Sequence, residues 1–236
     1  MQAQLWYLRI PALLCYFRAM NFQFFDPGEE VDVTWRKLPH WEQRDVYYFL
    51  TWRTADSIPG PVMEHWLVER SRWLQSHGIA PEQEDWQGEL ERMPEAEHRE
   101  FYRLFTQRWH DMLDACHGEC LLRDPGLSDL VVENLRHLEG ELYELEAWVV
   151  MPNHVHVLAG IRGRGTMKKL CRNWKNYTAK RINERLGREG QFWQWESFDH
   201  LVRHAASLEK FRQYILNNPV KAGLKEGEFR VWTRGG

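Results

Sequence analysis

The chain has 236 residues, 43% hydrophobic, 28% charged and 14% aromatic. That length fits one large domain or one domain with arms, and the aromatic content without internal repeats excludes disordered, collagen-like and coiled-coil classes. The net charge of −3 hides an asymmetry: residues 160–236 carry 17 Lys and Arg against 7 Asp and Glu, and the remainder carries 14 against 27. A basic C-terminal third points to a localised anionic partner, most naturally nucleic acid, with a solvated basic helix face as the plainer alternative. The 13 Trp demand a large core or stacking surfaces. Cys15, Cys116, Cys120 and Cys171 are too few for a disulfide scaffold and fit a reducing, cytoplasmic compartment.

In chain order, Leu5 to Phe17 is too short to span a bilayer and carries Arg9 and Pro11, so no membrane partner is expected. Residues 1–43 read as an N-terminal arm, with a turn signal at Asp26-Pro27-Gly28. Val46 to Trp52 is β-branched and aromatic, a buried strand. After the breaker at Ser57 to Pro61, Val62 to His77 has a helical pattern through Trp66, Val68, Trp73 and Leu74. Residues 80–98 are acidic and polar, an insertion or lid, followed by a helix from about Glu95 to Ala115. Cys116 and Cys120 lack a second pair, so buried thiols are expected in preference to a zinc knuckle.

Leu127 to Leu138 is an amphipathic helix, its first turn favoured by Ser128 and Asp129. Glu141 to Val150 and Asn153 to Ile161 are strands joined at Met151-Pro152, which implies an antiparallel hairpin. Thr166 to Leu186 is a long basic helix, ended by Gly187 and Gly190. Gln191 to Val202 is partly extended, and Ala205 to Asn218 is the last helix, stopped by Pro219. This order gives an α+β fold, one antiparallel sheet with helices packed on a face. Residues 44–226 form the domain, with a helical insertion at about 80–116, and residues 227–236 form a C-terminal tail.

The sharpest local feature is Pro152-Asn153-His154-Val155-His156-Val157-Leu158. In a strand the side chains alternate, so His154 and His156 project together about 7 Å apart while Val155 and Val157 face the core. Two such imidazoles can converge on one metal ion, although two surface histidines would give the same pattern. The last helix offers further groups: Tyr214 and Asn218 are four residues apart and share a face. Asn218 can supply an oxygen ligand, and Tyr214 a phenolic nucleophile. Tyr177 is a rival nucleophile, but its four-residue neighbour is Arg181, a cation that would repel a metal and suits a phosphate contact.

These residues lie in strings that resemble a known family. Trp148 to Leu158 is similar to the HUH motif of single-tyrosine transposases, and Tyr214 to Leu224 to the nucleophile helix of the REP-associated tyrosine transposases. Leu38-Pro39-His40-Trp41, Tyr48 to Arg53, Trp174 to Thr178, and Gly190 to Gln194 with Phe198-Asp199 match in the same order, so the resemblance covers roughly residues 35–226. It implies a ferredoxin- or RRM-like HUH core. It also implies a divalent metal, Mg or Mn, held by His154, His156 and Asn218, where related insertion-sequence transposases usually place Gln at the third position; Asn217 is the fallback if the helix register differs. Tyr214 would attack a scissile DNA phosphate in line, forming a 5′-phosphotyrosyl link and freeing a 3′-OH.

The implied partner is single-stranded or hairpin DNA, bound by a monomer or homodimer. Lys168, Lys169, Arg172, Lys175 and Arg181 could track its backbone. Trp174, Phe192, Trp193 and Trp195 could stack on unpaired bases. A non-catalytic hairpin-binding protein derived from a transposase is the alternative. A metallohydrolase built on His154 and His156 lacks the downstream Asp-His of the common hydrolase motif.

Overall fold

A computed structural model of the chain describes residues 22–35, 39–83, 86–163 and 166–235. The stretch Leu5 to Phe17, most of the N-terminal arm, Cys15 and Leu38 lie outside the described residues. Among the described residues no helix is long and apolar enough to cross a membrane.

The centre is a five-stranded antiparallel sheet. Its strands are β3 (Val46–Arg53), β4 (Tyr143–Val150), β5 (His154–Ile161), β6 (Phe198–Leu201) and β7 (Arg230–Thr233), in the order β6-β3-β5-β4-β7. A separate two-stranded ribbon pairs β1 (Asp32–Trp35) with β2 (Pro39–Glu42). The predicted hairpin is β4–β5, turned at Met151 to Asn153 and closed by Met151 N–H donating to His154 C=O at 2.8 Å. The segment expected to be a tail, 227–236, instead carries the edge strand β7, paired with β4 from Ala147–Thr233 to Val150–Arg230. Four residues are too short for alternation to stand out in a sequence, and the pairing that makes them a strand lies some 80 residues away.

Helices cover both faces of the sheet, not one. On one face lie α5 (Pro125–Arg136) and α6 (Thr166–Leu186), whose Leu127, Val131, Leu135, Leu170, Trp174 and Ile182 pack against Tyr48, Leu50, Trp52, Val155 and Val157. On the other lies α7 (Ala205–Lys221), whose Ile215 packs with Phe49, Ala147, Val149 and Leu158. This two-sided cover explains why every residue of β5 is buried. A β-bulge between Leu145 and Ala147 adjusts β4. Tyr143 and Leu145 face α5 and α6, and beyond the bulge Trp148 and Val150 take over that face, so Ala147 and Val149 turn to α7. The extra residue shifts the two-residue parity of the strand. It is Glu146, whose carboxylate binds Arg212 at 2.8 Å and Arg234 at 3.3 Å.

The helical region over residues 60–114, which begins earlier than the insertion expected at about 80–116, has its own apolar cluster of Trp66, Leu74, Ile79, Trp86, Leu90, Phe101 and Phe105. It consists of α1 (Gly60–Ser76), α2 (Trp86–Glu91), α3 (Glu95–Phe101), a π-helical segment at Tyr102–Gln107, and α4 (Arg108–Asp114). The predicted helix from Glu95 is therefore continuous, but widened in its middle. A π segment accommodates extra residues per turn and rotates the helix beyond it, and such segments recur at functional sites.

Two expected helix ends differ. α5 begins at Pro125 because Asp124 caps it, its side chain accepting from Gly126 N–H at 2.7 Å and Leu127 N–H at 3.2 Å. Pro219 does not stop α7, which runs on to Lys221. Its missing N–H forfeits one bond in the last turn, and the chain closes there through Ala222 N–H to Asn218 C=O and Leu224 N–H to Pro219 C=O, both 3.0 Å. Cys116 and Cys120, expected as buried thiols, are only half-buried free thiols, Cys120 donating to the Cys116 carbonyl at 2.8 Å, whereas Cys171 is buried.

Candidate active site

β5 delivers His154 and His156 to the α7 face, both fully buried. Each is oriented through Nδ1. His156 Nδ1 lies 2.7 Å from Thr51 Oγ1, directly across the β3–β5 pairing. His154 Nδ1 lies 2.8 Å from Asn153 Oδ1. The Asn153 amide is fixed by its other end, where Nδ2 donates to the His117 carbonyl at 3.0 Å. Oδ1 therefore faces His154 and can only accept, so His154 Nδ1 carries the hydrogen and Nε2 presents a bare lone pair. That Nε2 is buried without a hydrogen-bond partner.

α7 brings Tyr214, Asn218 and Lys221 to one face, and α4 meets them with His110, Asp111 and Asp114. Tyr214 Oη lies 3.1 Å from His110 Nδ1, within hydrogen-bond distance, and 3.5 Å from His156 Nε2. Asn218 Nδ2 donates to Asp114 Oδ1 at 3.2 Å, which leaves Asn218 Oδ1 buried without a partner. Lys221 Nζ reaches Asp111 at 2.6 Å and Asp114 at 2.9 Å. Asp114 Oδ1 is 3.8 Å from His154 Nε2.

The four sequence-predicted residues Tyr214, His154, His156 and Asn218 thus converge on one place. Sequence reasoning does not find Asp114 and His110. Their only signal is a His and an Asp four apart on one face of a helix whose other buried residue there is Leu113.

The electrostatics favour neutral bases. Burial, followed by neighbouring His110, lowers His154 to about 3, and burial then Lys221 lowers His110 to about 4. His156 lies well below its ordinary value for the same first reason, burial. Burial raises Tyr214 above the ordinary phenol range, helped by Asp114. Burial also raises Asp114, against the pull of Lys221.

A divalent cation fits this donor set. Ligand atoms of Asp114, His154 and His156 all lie within 4.8 Å of one another. His154 Nε2 and Asp114 Oδ1 face each other at 3.8 Å, beyond hydrogen-bond distance, and the orphaned Asn218 Oδ1 belongs to the side chain that bonds Asp114. Buried lone pairs with no donor call for a cation, and imidazole, carboxylate and amide oxygen are ligands of first-row and hard divalent ions.

The remaining candidates lie elsewhere. α6 packs on the opposite face, with Lys169, Arg172 and Arg181 exposed on its outer side, Lys168 4.0 Å from Glu42, and Lys175 donating to the Trp195 carbonyl at 2.7 Å. Tyr177 is exposed on that same helix, separated by the sheet from the histidines. Trp174, Phe192 and Trp193 are buried in the α6-side core, so they cannot stack on bases, whereas Trp195 is 78% exposed. Asn217 is exposed and points away from the cluster that Asn218 joins.

Residues 126–218 match the family model described as IS200-like transposase. This stretch, less than half of the chain, holds His154, His156, Tyr214 and Asn218, and the resemblance to IS200-like transposases is found there plainly. Among solved structures, a REP-associated tyrosine transposase bound to a REP hairpin is similar at 16% identity and TM-score 0.41, over 82% of this chain and 76% of that chain. A candidate transposase from Deinococcus radiodurans R1 is similar at 16% identity and TM-score 0.30, over 75% of this chain and 93% of that chain. No curated protein matches.

Proposed function

We propose that this protein is a metal-dependent DNA strand transferase that cleaves and rejoins single-stranded DNA beside hairpins through a 5′-phosphotyrosine at Tyr214. The observation that carries the reading is the placement of the Tyr214 hydroxyl, 3.1 Å from His110 Nδ1 and 3.5 Å from His156 Nε2, beside the partnerless His154 Nε2 and Asn218 Oδ1. A nucleophile, a base for its proton and a set of cation ligands meet in one buried cluster.

His154, His156, Asp114 and Asn218 would hold the divalent ion. Its chemistry there is to neutralise charge on the attacked phosphate. Asp114 joins the set of three expected from sequence. The phenol stays protonated until attack because burial holds it so. As Tyr214 Oη bonds to phosphorus, its proton passes to His110 Nδ1 and the P–O3′ bond breaks, so the 3′-oxygen leaves and takes a proton from water. In the reverse step an incoming 3′-OH gives its proton to solvent as it attacks the phosphotyrosine, and His110 returns its proton to the departing phenolate. The phosphodiester energy is kept throughout, so no nucleotide is consumed. The exposed cations of α6 serve a different task on this reading, holding hairpin DNA outside the cleavage site.

Incubation with hairpin oligonucleotides bearing single-stranded flanks and Mn2+, followed by a denaturing gel, should give a covalent protein–DNA adduct. Tyr214→Phe should abolish the adduct and retain binding. Binding by the unaltered protein with no adduct would establish the non-catalytic alternative.

A further inference from the structure

We infer that Arg53 is the seat of the scissile phosphodiester, its guanidinium gripping a non-bridging oxygen of the phosphate that Tyr214 attacks. This rests on the strand-transfer reading and adds the residue that holds the substrate. Arg53 ends β3 and pairs directly with His154 across the sheet, as Thr51 pairs with His156, so the four side chains share one face. Opposed Cβ atoms in such a pairing lie about 5 Å apart, so the Arg53 side chain leaves the sheet next to that of the candidate metal ligand His154.

The side chain is only 8% exposed. Among the described residues no carboxylate pairs with it, and its one hydrogen bond is from Nη1 to Ser57 Oγ at 2.9 Å. Burial alone lowers it to about 10, with no compensating anion. A cation taken from water without a counter-charge is costly unless something supplies that charge. The anion is therefore sought in the ligand. The guanidinium is also held ready: it lies 5.2 Å from the centre of the Trp109 ring, and Trp109 precedes His110, the partner of the Tyr214 hydroxyl. Ser57, itself fully buried, donates to the Thr54 carbonyl at 2.9 Å and so presents its lone pair to Arg53. One edge of the planar fork is thus anchored, and Nε and Nη2 remain to meet two oxygens of one phosphate.

The other cation of the cluster does not compete for this role. Lys221 is already bound to both Asp111 and Asp114.

The test uses the full chain, Mn2+ and a set of hairpin oligonucleotides, each with a single methylphosphonate at a successive position of the single-stranded flank. Arg53→Gln should slow adduct formation on the all-phosphate substrate by about 10²-fold, the scale of a lost donor to a developing oxyanion. On the substrate neutralised at the cut position, Arg53→Gln and the unaltered protein should react alike. Arg53→Lys, which keeps the charge without the fork, should fall between and serves if the Gln variant does not fold. Binding is read separately in a Tyr214→Phe background: one methylphosphonate position should weaken binding severalfold, and that dip should vanish with Arg53→Gln. Equal slowing of both substrates, or a dip that persists in the variant, overturns the assignment. A dip that vanishes while the unaltered protein forms no adduct sinks the strand-transfer reading and leaves Arg53 as a phosphate seat.

Discussion

Asn153 illustrates how much one side chain can decide. Its amide spans the His117 carbonyl and His154 Nδ1, and so sets which nitrogen of His154 is free. Partners of this kind typically contribute 10- to 100-fold to metal affinity. Asn153→Ala should therefore weaken Mn2+ binding by about that factor, measured by calorimetric titration, while the thermal unfolding profile of the metal-free protein changes by no more than the loss of the two bonds of that amide, about 1 kcal/mol each. At this scale the sequence is readable wherever the geometry is local. His154 and His156 share a face by the two-residue period of a strand, and Tyr214 and Asn218 by the four-residue spacing of a helix. Arg53, His110 and Asp114 are not readable, because the group that gives each its meaning is about 100 residues away: Arg53 faces His154, His110 faces Tyr214, and Asp114 faces Asn218.

The elements show the same division. α4 and α7 meet through four polar pairings, His110 with Tyr214, Asp114 with Asn218, Asp111 with Lys221 and Asp114 with Lys221. This join ties the helical insertion to the sheet-bearing core at the site itself, so the insertion is a wall of the site and not a detached lid. Lys221 is partly exposed, while Asp114 is 6% exposed at its side chain. Lys221→Met would leave that carboxylate buried without its cation. Allowing for solvent screening at the lysine, the loss should be about 1–2 kcal/mol in urea unfolding of the metal-free protein. Divalent ion added to the variant should recover part of it if Asp114 is a ligand. Element positions are legible from periodicity for β3, α1, α5, the β4–β5 hairpin, α6 and α7. Ends governed by caps, a tolerated proline or long-range pairing are not, as Asp124, Pro219 and β7 show.

At the scale of the whole molecule the two candidate functions of the surface are divided by the sheet. Tyr214 and the histidines lie on the α7 face, and the cations of α6 on the other. The sequence announces both but cannot say that they are back to back, since a helix carries no mark of which side of a distant sheet it will cover. On the strand-transfer reading the division would separate binding from chemistry. Replacing Lys169, Arg172 and Arg181 together by Gln should weaken hairpin binding and lower the slope of log affinity against log salt by about 0.7 to 0.9 for each phosphate no longer neutralised. Adduct formation at saturating DNA should change little. An unchanged salt slope would show that these charges are merely solvated.

On the strand-transfer reading, a polynucleotide engaged by α6 and cut at Tyr214 would have to turn a corner, because a continuous hydrogen-bonded sheet offers no passage through. One such corner is the β6 border, and the chain leading to it carries Trp195, bare to solvent, with its carbonyl tied to Lys175 of α6. Double helix is far too stiff to fold around a single protein domain, with a persistence length of about 150 bp. Only an unpaired tether could make that bend, so on this reading the arrangement of the faces would by itself discriminate between melted and paired nucleic acid before any base is read.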